Sequence, residues 1–318
     1  MNPERLETVT HQSSAHRHSR AGGNDQLTQF SRNIDMTKAL LNLHDVGHAY
    51  GLKNVLDSVN LTLAAGQVLA LVGPSGCGKT TLLHLCAGLL NCQSGRLDNH
   101  FVRPAVMFQQ PRLLPWKTTR DNIALGLKAA GIPRRERLAS AERIGAAVGL
   151  DRLALEQFPH LLSGGMQSRA ALARALVLEP DLLLMDEPFS ALDIGLKAQL
   201  HRLLLDEQAA RSLAVLMITH DLMEAVRLAD TVLVMAAEPG RIVHRFDLSI
   251  PARQRDDALV HQTTAELLQN ATVRASFGLS TNAAGDCPHR PSMLSPGMAV
   301  FGVPANQAVP TRNKSFAC

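Results

Sequence analysis

The chain has 318 residues, 46% of them hydrophobic, so it can bury a substantial core and is expected to form one domain with tails. Its formal net charge of +4 is small and spread along the chain, which argues against a nucleic-acid-binding protein. The five cysteines show no C-x-x-C spacing, which fits a reducing compartment. No stretch reaches the ~20 apolar residues that cross a bilayer, so we expect no translocation path in this chain.

The first segment, residues 1–35, is polar and rich in His, Ser and Gly, and it lacks the apolar core of a secretory signal. We therefore expect a disordered extension. The folded domain is expected over residues 36–250, because a hydrophobic pattern begins shortly after Met36. Within it, the alternation over residues 41–65 predicts short strands separated by turns.

A glycine-rich loop, GPSGCGKTT, lies between a buried apolar run, QVLALV, and the helix-like segment TLLHLCAGLL. It fits the pattern G-x-x-x-x-G-K-[ST], in which main-chain N–H groups at a helix N-terminus surround phosphates. Lys79 would reach the β/γ-phosphates, and the Thr80 hydroxyl would bind Mg²⁺. We interpret Cys77 as a small filler residue. The loop residues assigned to nucleotide binding are Gly73, Pro74, Ser75, Gly76, Cys77, Gly78, Lys79, Thr80 and Thr81.

From about residue 111 to residue 162 the pattern is helical, which predicts a helical subdomain. It ends where Ser163, Gly164 and Gly165 precede the Ala/Leu-rich segment MQSRAALARAL. A hydroxyl, free main-chain amides and the positive end of a helix coincide there, which predicts a second anion site. An ordinary serine N-cap is the competing interpretation.

The segment LLLMDEP predicts a buried parallel strand that ends in two carboxylates, Asp186 and Glu187. Asp186 is placed to hold Mg²⁺ through water, and Glu187 to orient or deprotonate an attacking water, as phosphoryl transfer requires. The competing interpretation is a polar pair that merely ends a strand.

Two more buried parallel strands are predicted, LAVLMIT before His220 and TVLVM after it. One amphipathic C-terminal helix is expected within residues 251–280. Residues 281–318 are rich in Pro, Gly, Asn and Ser, so a disordered tail is expected. Together these elements predict an α/β fold with a mostly parallel core sheet, of the P-loop NTPase class.

The motifs in this order resemble those of the ATPase subunits of ATP-binding-cassette (ABC) transporters, over about residues 41–240. GPSGCGKTT resembles their Walker A loop, LLLMDE their Walker B strand, LSGGM their signature, SALD their D-loop and His220 their switch histidine. Ser168 departs from the Gln or Lys that relatives often carry there. The resemblance implies an ABC cassette with an antiparallel β subdomain and a helical subdomain beside the core sheet.

The resemblance also implies a dimer that sandwiches two ATP molecules. Ser163, Gly164 and Gly165 of one chain would contact the γ-phosphate that Lys79 of the other chain holds.

Two further roles come from the resemblance alone. Gln109 would meet Mg²⁺ and the attacking water, with Gln110 as the competing assignment. Tyr50 would stack on adenine, with an ordinary half-buried strand aromatic as the alternative. The resulting assignments are Glu187, His220 and Gln109 for catalysis, and Thr80, Gln109 and Asp186 for the metal.

The implied partners are a second copy of the chain, an integral membrane permease and, indirectly, a periplasmic binding protein, with no nucleic acid. The implied location is peripheral, on the cytoplasmic side of the inner membrane. The stretch QQPRLLPWKTTRDNIALGL resembles importers of nitrate, sulfonate, taurine and bicarbonate. Its Trp116 is expected in the groove that receives the permease, with a partly buried anchor as the alternative.

Other classes remain open at this point: a soluble ABC ATPase of DNA repair or translation, an unrelated P-loop kinase, or a motor for another cargo or for export. A repair ATPase would carry a coiled coil or zinc-hook cysteines, and a kinase would lack LSGGM, SALD and His220. The sequence therefore favours an importer motor.

Overall fold

The structure is a computed structural model that describes residues 40–279, so the disorder expected for residues 1–35 and 281–318 lies outside the described residues. The strands are β1 (Leu40–Tyr50), β2 (Lys53–Ala64), β3 (Val68–Val72), β4 (Ser94–Asn99), β5 (Pro104–Met107), β6 (Leu182–Asp186), β7 (Ala214–Ile218), β8 (Thr231–Ala236) and β9 (Arg241–Asp247). The α-helices are α1 (Lys79–Cys86), α2 (Thr119–Ile123), α3 (Leu125–Ala129), α4 (Arg134–Ala147), α5 (Arg152–Glu156), α6 (Gly164–Leu176), α7 (Ile194–Arg211), α8 (Leu222–Leu228), α9 (Asp257–Gln269) and α10 (Ala271–Ser276).

The larger sheet has the strand order β5-β6-β7-β3-β8-β9, and only the edge pair β8 and β9 is antiparallel. Every residue of β3, β6 and β7 is buried. Alternate side chains of these strands enter two different hydrophobic clusters, because both faces of the sheet are covered. This arrangement confirms the prediction of buried parallel strands. It also brings the carboxyl ends of β3, β6 and β7 to one edge.

The smaller sheet is antiparallel, with the order β2-β1-β4. The prediction of short strands was wrong here, since β1 and β2 run for 11 and 12 residues. The pairing of β1 with β2 is interrupted by bulges and not by chain turns. Asp45, for example, donates its N–H to the Asn60 side chain and accepts from the Asn60 amide, both at 2.9 Å. The hydrogen-bonded pairing of β1 with β2 therefore continues past the bulge at Asp45.

The small sheet is attached to the core sheet by main-chain hydrogen bonds at Gly240. The Gly240 carbonyl accepts from Asp57 N at 3.0 Å, and Gly240 N donates to the Val55 carbonyl at 2.9 Å. An added Cβ at Gly240 would lie 2.7 Å from that Val55 carbonyl, so a glycine is required for this close approach.

Helices α2 to α6 form the region between β5 and β6, in agreement with the helical pattern of the sequence. The Arg120 guanidinium of α2 lies 2.8 Å from Glu142 of α4 and 2.7 Å from Glu156 of α5. These ion pairs join the five-residue helices α2 and α5 to the longer α4. None of the helices within residues 40–279 is long and apolar enough to cross a membrane.

The C-terminal segment is divided where one helix was expected. A 3₁₀ turn at Ala252–Gln254 precedes α9, and Asn270 separates α9 from α10. The Asn270 side chain accepts from the N–H groups of Thr272 and Val273, so it starts a new helix instead of continuing the old one. Val273 is fully buried in the main core, and α10 therefore packs on the domain.

Candidate active site

The glycine-rich loop connects β3 to α1, the strand, loop and helix order that the sequence predicted. The Lys79 Nζ donates to the carbonyls of Gly73 and Pro74, at 2.8 and 2.9 Å, so its ammonium lies inside the loop. Gly78 has a left-handed φ of +93°, and a Cβ there would lie 2.7 Å from Leu56. Cys77 is 1% exposed, which supports the interpretation of a small filler residue.

The first helical turn of α1 meets the end of β6. The Thr80 Oγ1 donates to Asp186 Oδ2 at 2.8 Å, and Asp186 is only 4% exposed. A hydroxyl oxygen and a carboxylate oxygen thus lie side by side at the loop. This is the pair of hard oxygen ligands that Mg²⁺ accepts.

The next residue, Glu187, leaves the strand with a left-handed φ of +51°. Its main-chain N–H still pairs with the Ile218 carbonyl at 2.9 Å, which fixes where the side chain starts. The carboxylate Oε2 lies 2.7 Å from His220 Nδ1. The Glu187 side chain is 12% exposed and that of His220 is 69% exposed, so the imidazole is the solvent-facing member of the pair.

The residues of the signature motif lie at the start of α6. The Ser163 Oγ accepts from Met166 N at 3.2 Å, so it is the helix N-cap, as the competing interpretation stated. Space around Gly164 is open, whereas a Cβ on Gly165 would lie 3.2 Å from the Ala191 carbonyl of the SALD segment. In residues 40–279, no hydrogen bond joins Ser163 to the glycine-rich loop of its own chain.

Tyr50, the two candidate glutamines and Trp116 are exposed, and none of them is hydrogen-bonded to the Thr80, Asp186, Glu187 and His220 cluster within residues 40–279. Tyr50 is 52% exposed at the end of β1, with its ring edge-to-face on His48. Gln109 and Gln110 are both exposed, just after β5. Trp116 is 70% exposed, which favours the groove position over the buried anchor.

Two polar residues that the sequence analysis did not single out hold the segment that follows the two glutamines. Asn122, fully buried, accepts from Leu114 N at 2.7 Å and donates to the Leu114 carbonyl at 3.1 Å. Arg174 of α6 donates to the carbonyls of Pro111 and Arg112. The partners of Arg174 lie 62 and 63 residues earlier, and those of both side chains are main-chain atoms, so no motif could have revealed these contacts.

The comparisons with known proteins agree with this geometry. The ABC transporter family model matches residues 56–190. The aliphatic sulfonates import ATP-binding protein SsuB of Mycobacterium avium (strain 104) is 44% identical over 236 residues, which cover 73% of this chain and 92% of that relative. The taurine import ATP-binding protein TauB of Escherichia coli O157:H7 is 43% identical over 211 residues, which cover 64% of this chain and 82% of that relative.

A dimeric structure of the ATP-binding cassette MJ0796 in a post-hydrolysis state, bound to ADP and Pi, is also similar. Its TM-score is 0.62 at 26% identity, covering 66% of this chain and 99% of that one. The predicted α/β cassette, ATP binding and ATPase class are thereby confirmed, and the P-loop kinase alternative is wrong. With relatives this similar over nearly their full length, the chain belongs to the ABC transporter family.

Proposed function

We propose that this chain is the ATP-hydrolysing subunit of an importer that takes up a small sulfonate-like anion through a separate permease. One observation carries the proposal: Glu187 and His220 lie 2.7 Å apart, next to the Thr80 and Asp186 pair, at the edge where β3 delivers the phosphate-binding loop. This combination places a phosphate-binding loop, oxygen ligands for Mg²⁺ and a carboxylate that can accept a proton at one site.

The loop and Lys79 bind the triphosphate in this proposal, since main-chain N–H groups and an ammonium surround the anion. Thr80, Asp186 and Gln109 would hold Mg²⁺. Within residues 40–279, no three His, Cys, Asp or Glu side chains form a metal site by themselves, so phosphate and water would complete the coordination, as Mg²⁺ prefers. When bound, the ion neutralises charge on the transferred phosphoryl group.

Glu187 accepts the proton of the attacking water, and His220 holds the carboxylate in place from the solvent side. The direct contact between the two side chains supports this division of roles. Gln109, which follows β5 at the same sheet edge, is assigned to orient the same water.

The second half of the site comes from a second copy of the chain. Ser163, Gly164 and Gly165 contact the γ-phosphate held by Lys79 of the other copy, and Tyr50 stacks on the adenine. The open space around Gly164 and the exposed ring of Tyr50 support both assignments, because neither group is covered in the single chain.

The permease is proposed to dock on the exposed segment around Trp116, at the cytoplasmic side of the inner membrane, with a periplasmic binding protein as an indirect partner and no nucleic acid. We assign the ATPase domain to residues 36–250. The names of the relatives SsuB and TauB, which specify aliphatic sulfonates and taurine, support a sulfonate cargo.

Growth of a deletion strain tests the cargo. Without this gene, cells should fail to grow when an alkanesulfonate or taurine is the sole sulfur source and should grow normally on sulfate. The intact gene should restore growth and Lys79→Ala should not, because the ammonium that binds the phosphates is missing. Normal growth of the deletion strain on both sulfonates would refute the proposed cargo.

A further inference from the structure

The partly buried guanidinium of Arg174 joins two functional segments of the chain. Arg174 lies near the C-terminus of α6, the helix that Ser163 caps at its other end. Its Nη1 donates to the Arg112 carbonyl at 2.9 Å, and its Nη2 donates to the Pro111 carbonyl at 2.6 Å. These carbonyls belong to the segment that connects β5 to α2, residues 108–118, which we call the strap.

The far end of the strap is also fixed. Asn122, at the middle of α2, bonds both main-chain groups of Leu114 and donates to the carbonyls of Lys117 and Thr118. The strap beyond Pro111 is therefore bound to helices of the α2 to α6 region at two places. Trp116 lies between Leu114 and Lys117, which are both bound by Asn122.

The near end of the strap belongs to the core. The Phe108 ring contacts His84 of α1, with ring centroids 5.9 Å apart. Between Phe108 and Pro111, Gln109 and Gln110 are exposed and make no hydrogen bond within the described part of the chain. The Arg112 guanidinium spans this gap, with its central carbon 4.5 Å from the Phe108 ring centroid. Gln109 and Gln110 thus form the unanchored connection between the core sheet and the helical region α2 to α6.

We propose that Arg174 is a positioning residue that makes the strap move together with α6, so that Gln109 is drawn toward the attacking water when Ser163 seats on a γ-phosphate. The inference rests on the proposed roles of Gln109 and Ser163. A helix transmits displacement along its axis, and charge-assisted hydrogen bonds to two successive carbonyls fix both the position and the direction of the strap.

The partial burial of Arg174 supports the assignment. It lowers the pKa of the Arg174 guanidinium, yet two carbonyl partners keep the charged form compatible with its site. Alanine at this position would leave both carbonyls without their partner and would release the strap from α6. Lysine can donate to the same carbonyls, but without the planar fork that binds both at once.

The test compares purified Arg174→Ala, Arg174→Lys and a matched control, Arg137→Ala. Arg137 also donates to a main-chain carbonyl, that of Ile132, but within the helical region. We expect Arg174→Ala to lower kcat about tenfold, because Gln109 is no longer held near the attacking water, with KM for ATP within about twofold. Arg174→Lys should be intermediate, and Arg137→Ala should match the wild type.

A second readout separates positioning from mere stabilisation. Trp116 is the only tryptophan, so the emission change caused by ATP reports strap movement directly. This change should be lost in Arg174→Ala and retained in Arg137→Ala. A purely structural role predicts a lower melting temperature in Arg174→Ala, with wild-type kcat per folded molecule and an unchanged Trp116 response; that result overturns the inference.

If Arg174→Ala does not fold, Arg174→Lys decides, because wild-type kcat and Trp116 response in that variant contradict the proposal. If Lys79→Ala hydrolyses ATP like the wild type, the proposed function fails, and the failure is distinct from that of the Arg174 inference.

Discussion

Glu187 is the residue on which hydrolysis depends in this account. Its left-handed φ of +51° is uncommon for a side chain of this size and costs about 1 kcal/mol or more. Two contacts hold the strained turn: Glu187 N on the Ile218 carbonyl, and Ser190 Oγ on the Glu187 carbonyl at 3.0 Å. Strain of this kind fixes the direction of the carboxylate toward His220.

Replacing Glu187 by Gln should therefore keep ATP affinity while lowering turnover roughly 10²-fold or more, the scale of a lost general base. Steady-state phosphate release and equilibrium ATP binding measure the two effects. Glu136→Gln, an exposed change in the first turn of α4, is the control and should leave both unchanged. Wild-type turnover in Glu187→Gln would remove this residue from the mechanism.

The cysteines offer a prediction about pH. Burial raises the pKa of the Cys86 thiol to about 12, so Cys86 stays protonated, and hence unreactive, at pH 8. Iodoacetamide at pH 8 should modify the exposed Cys92 and spare buried Cys86 and Cys77 until urea unfolds the protein. Peptide mass spectrometry distinguishes the sites. Equal labelling of Cys86 and Cys92 in the folded protein would contradict the burial.

Residues that belong to a sequence motif could be given a role from the sequence. The chemistry of a phosphate-binding loop, a strand end or a helix cap depends on neighbouring residues in the chain. Lys79, Asp186 and Glu187 belong to this group. Arg174 could not be assigned, since its partner Arg112 lies 62 residues earlier and offers only a carbonyl. The contact of Glu187 with His220 likewise depends on β6 and β7 being neighbours.

At the scale of elements, the phosphate-binding loop depends on two glycines with left-handed φ. Gly76 has a φ of +80° with no atom near an added Cβ, while Gly78 has a φ of +93° and would place a Cβ 2.7 Å from Leu56. Gly76→Ala should lower the free energy of unfolding by about 1–2 kcal/mol through backbone strain alone. Gly78→Ala should lower it further, because the clash is added.

Urea unfolding of the two alanine variants measures this difference. Equal losses of stability would mean that β2 yields to the added methyl group, and the tight packing of the loop on β2 would then be wrong.

The apolar runs predicted β3, β6, β7 and β8 well, since a strand buried on both faces has no polar side. The lengths of the strands and the positions of breaks in the helices were harder to predict. Bulges let β1 continue past Asp45, and the Asn270 cap splits the C-terminal helix. Both outcomes depend on side-chain to main-chain hydrogen bonds, which hydrophobic periodicity does not report.

For the whole molecule, the strand order β5-β6-β7-β3-β8 explains why distant motifs meet. β3 lies between β7 and β8, so the loop after β3 opens beside the His220 segment, and Thr80 reaches the end of β6. The periodicity of the sequence predicted parallel strands but not this order. The order depends on the crossover connections between the strands, which hydrophobic periodicity does not report.

The central claim is that two copies close around ATP, since Ser163 has no hydrogen bond to the loop of its own chain within residues 40–279. Light scattering after gel filtration of Glu187→Gln tests it most directly. With ATP and Mg²⁺, the mass should double; without ATP, or with Ser163→Arg added, it should stay that of one chain. A Glu187→Gln protein that binds ATP and remains monomeric contradicts the account.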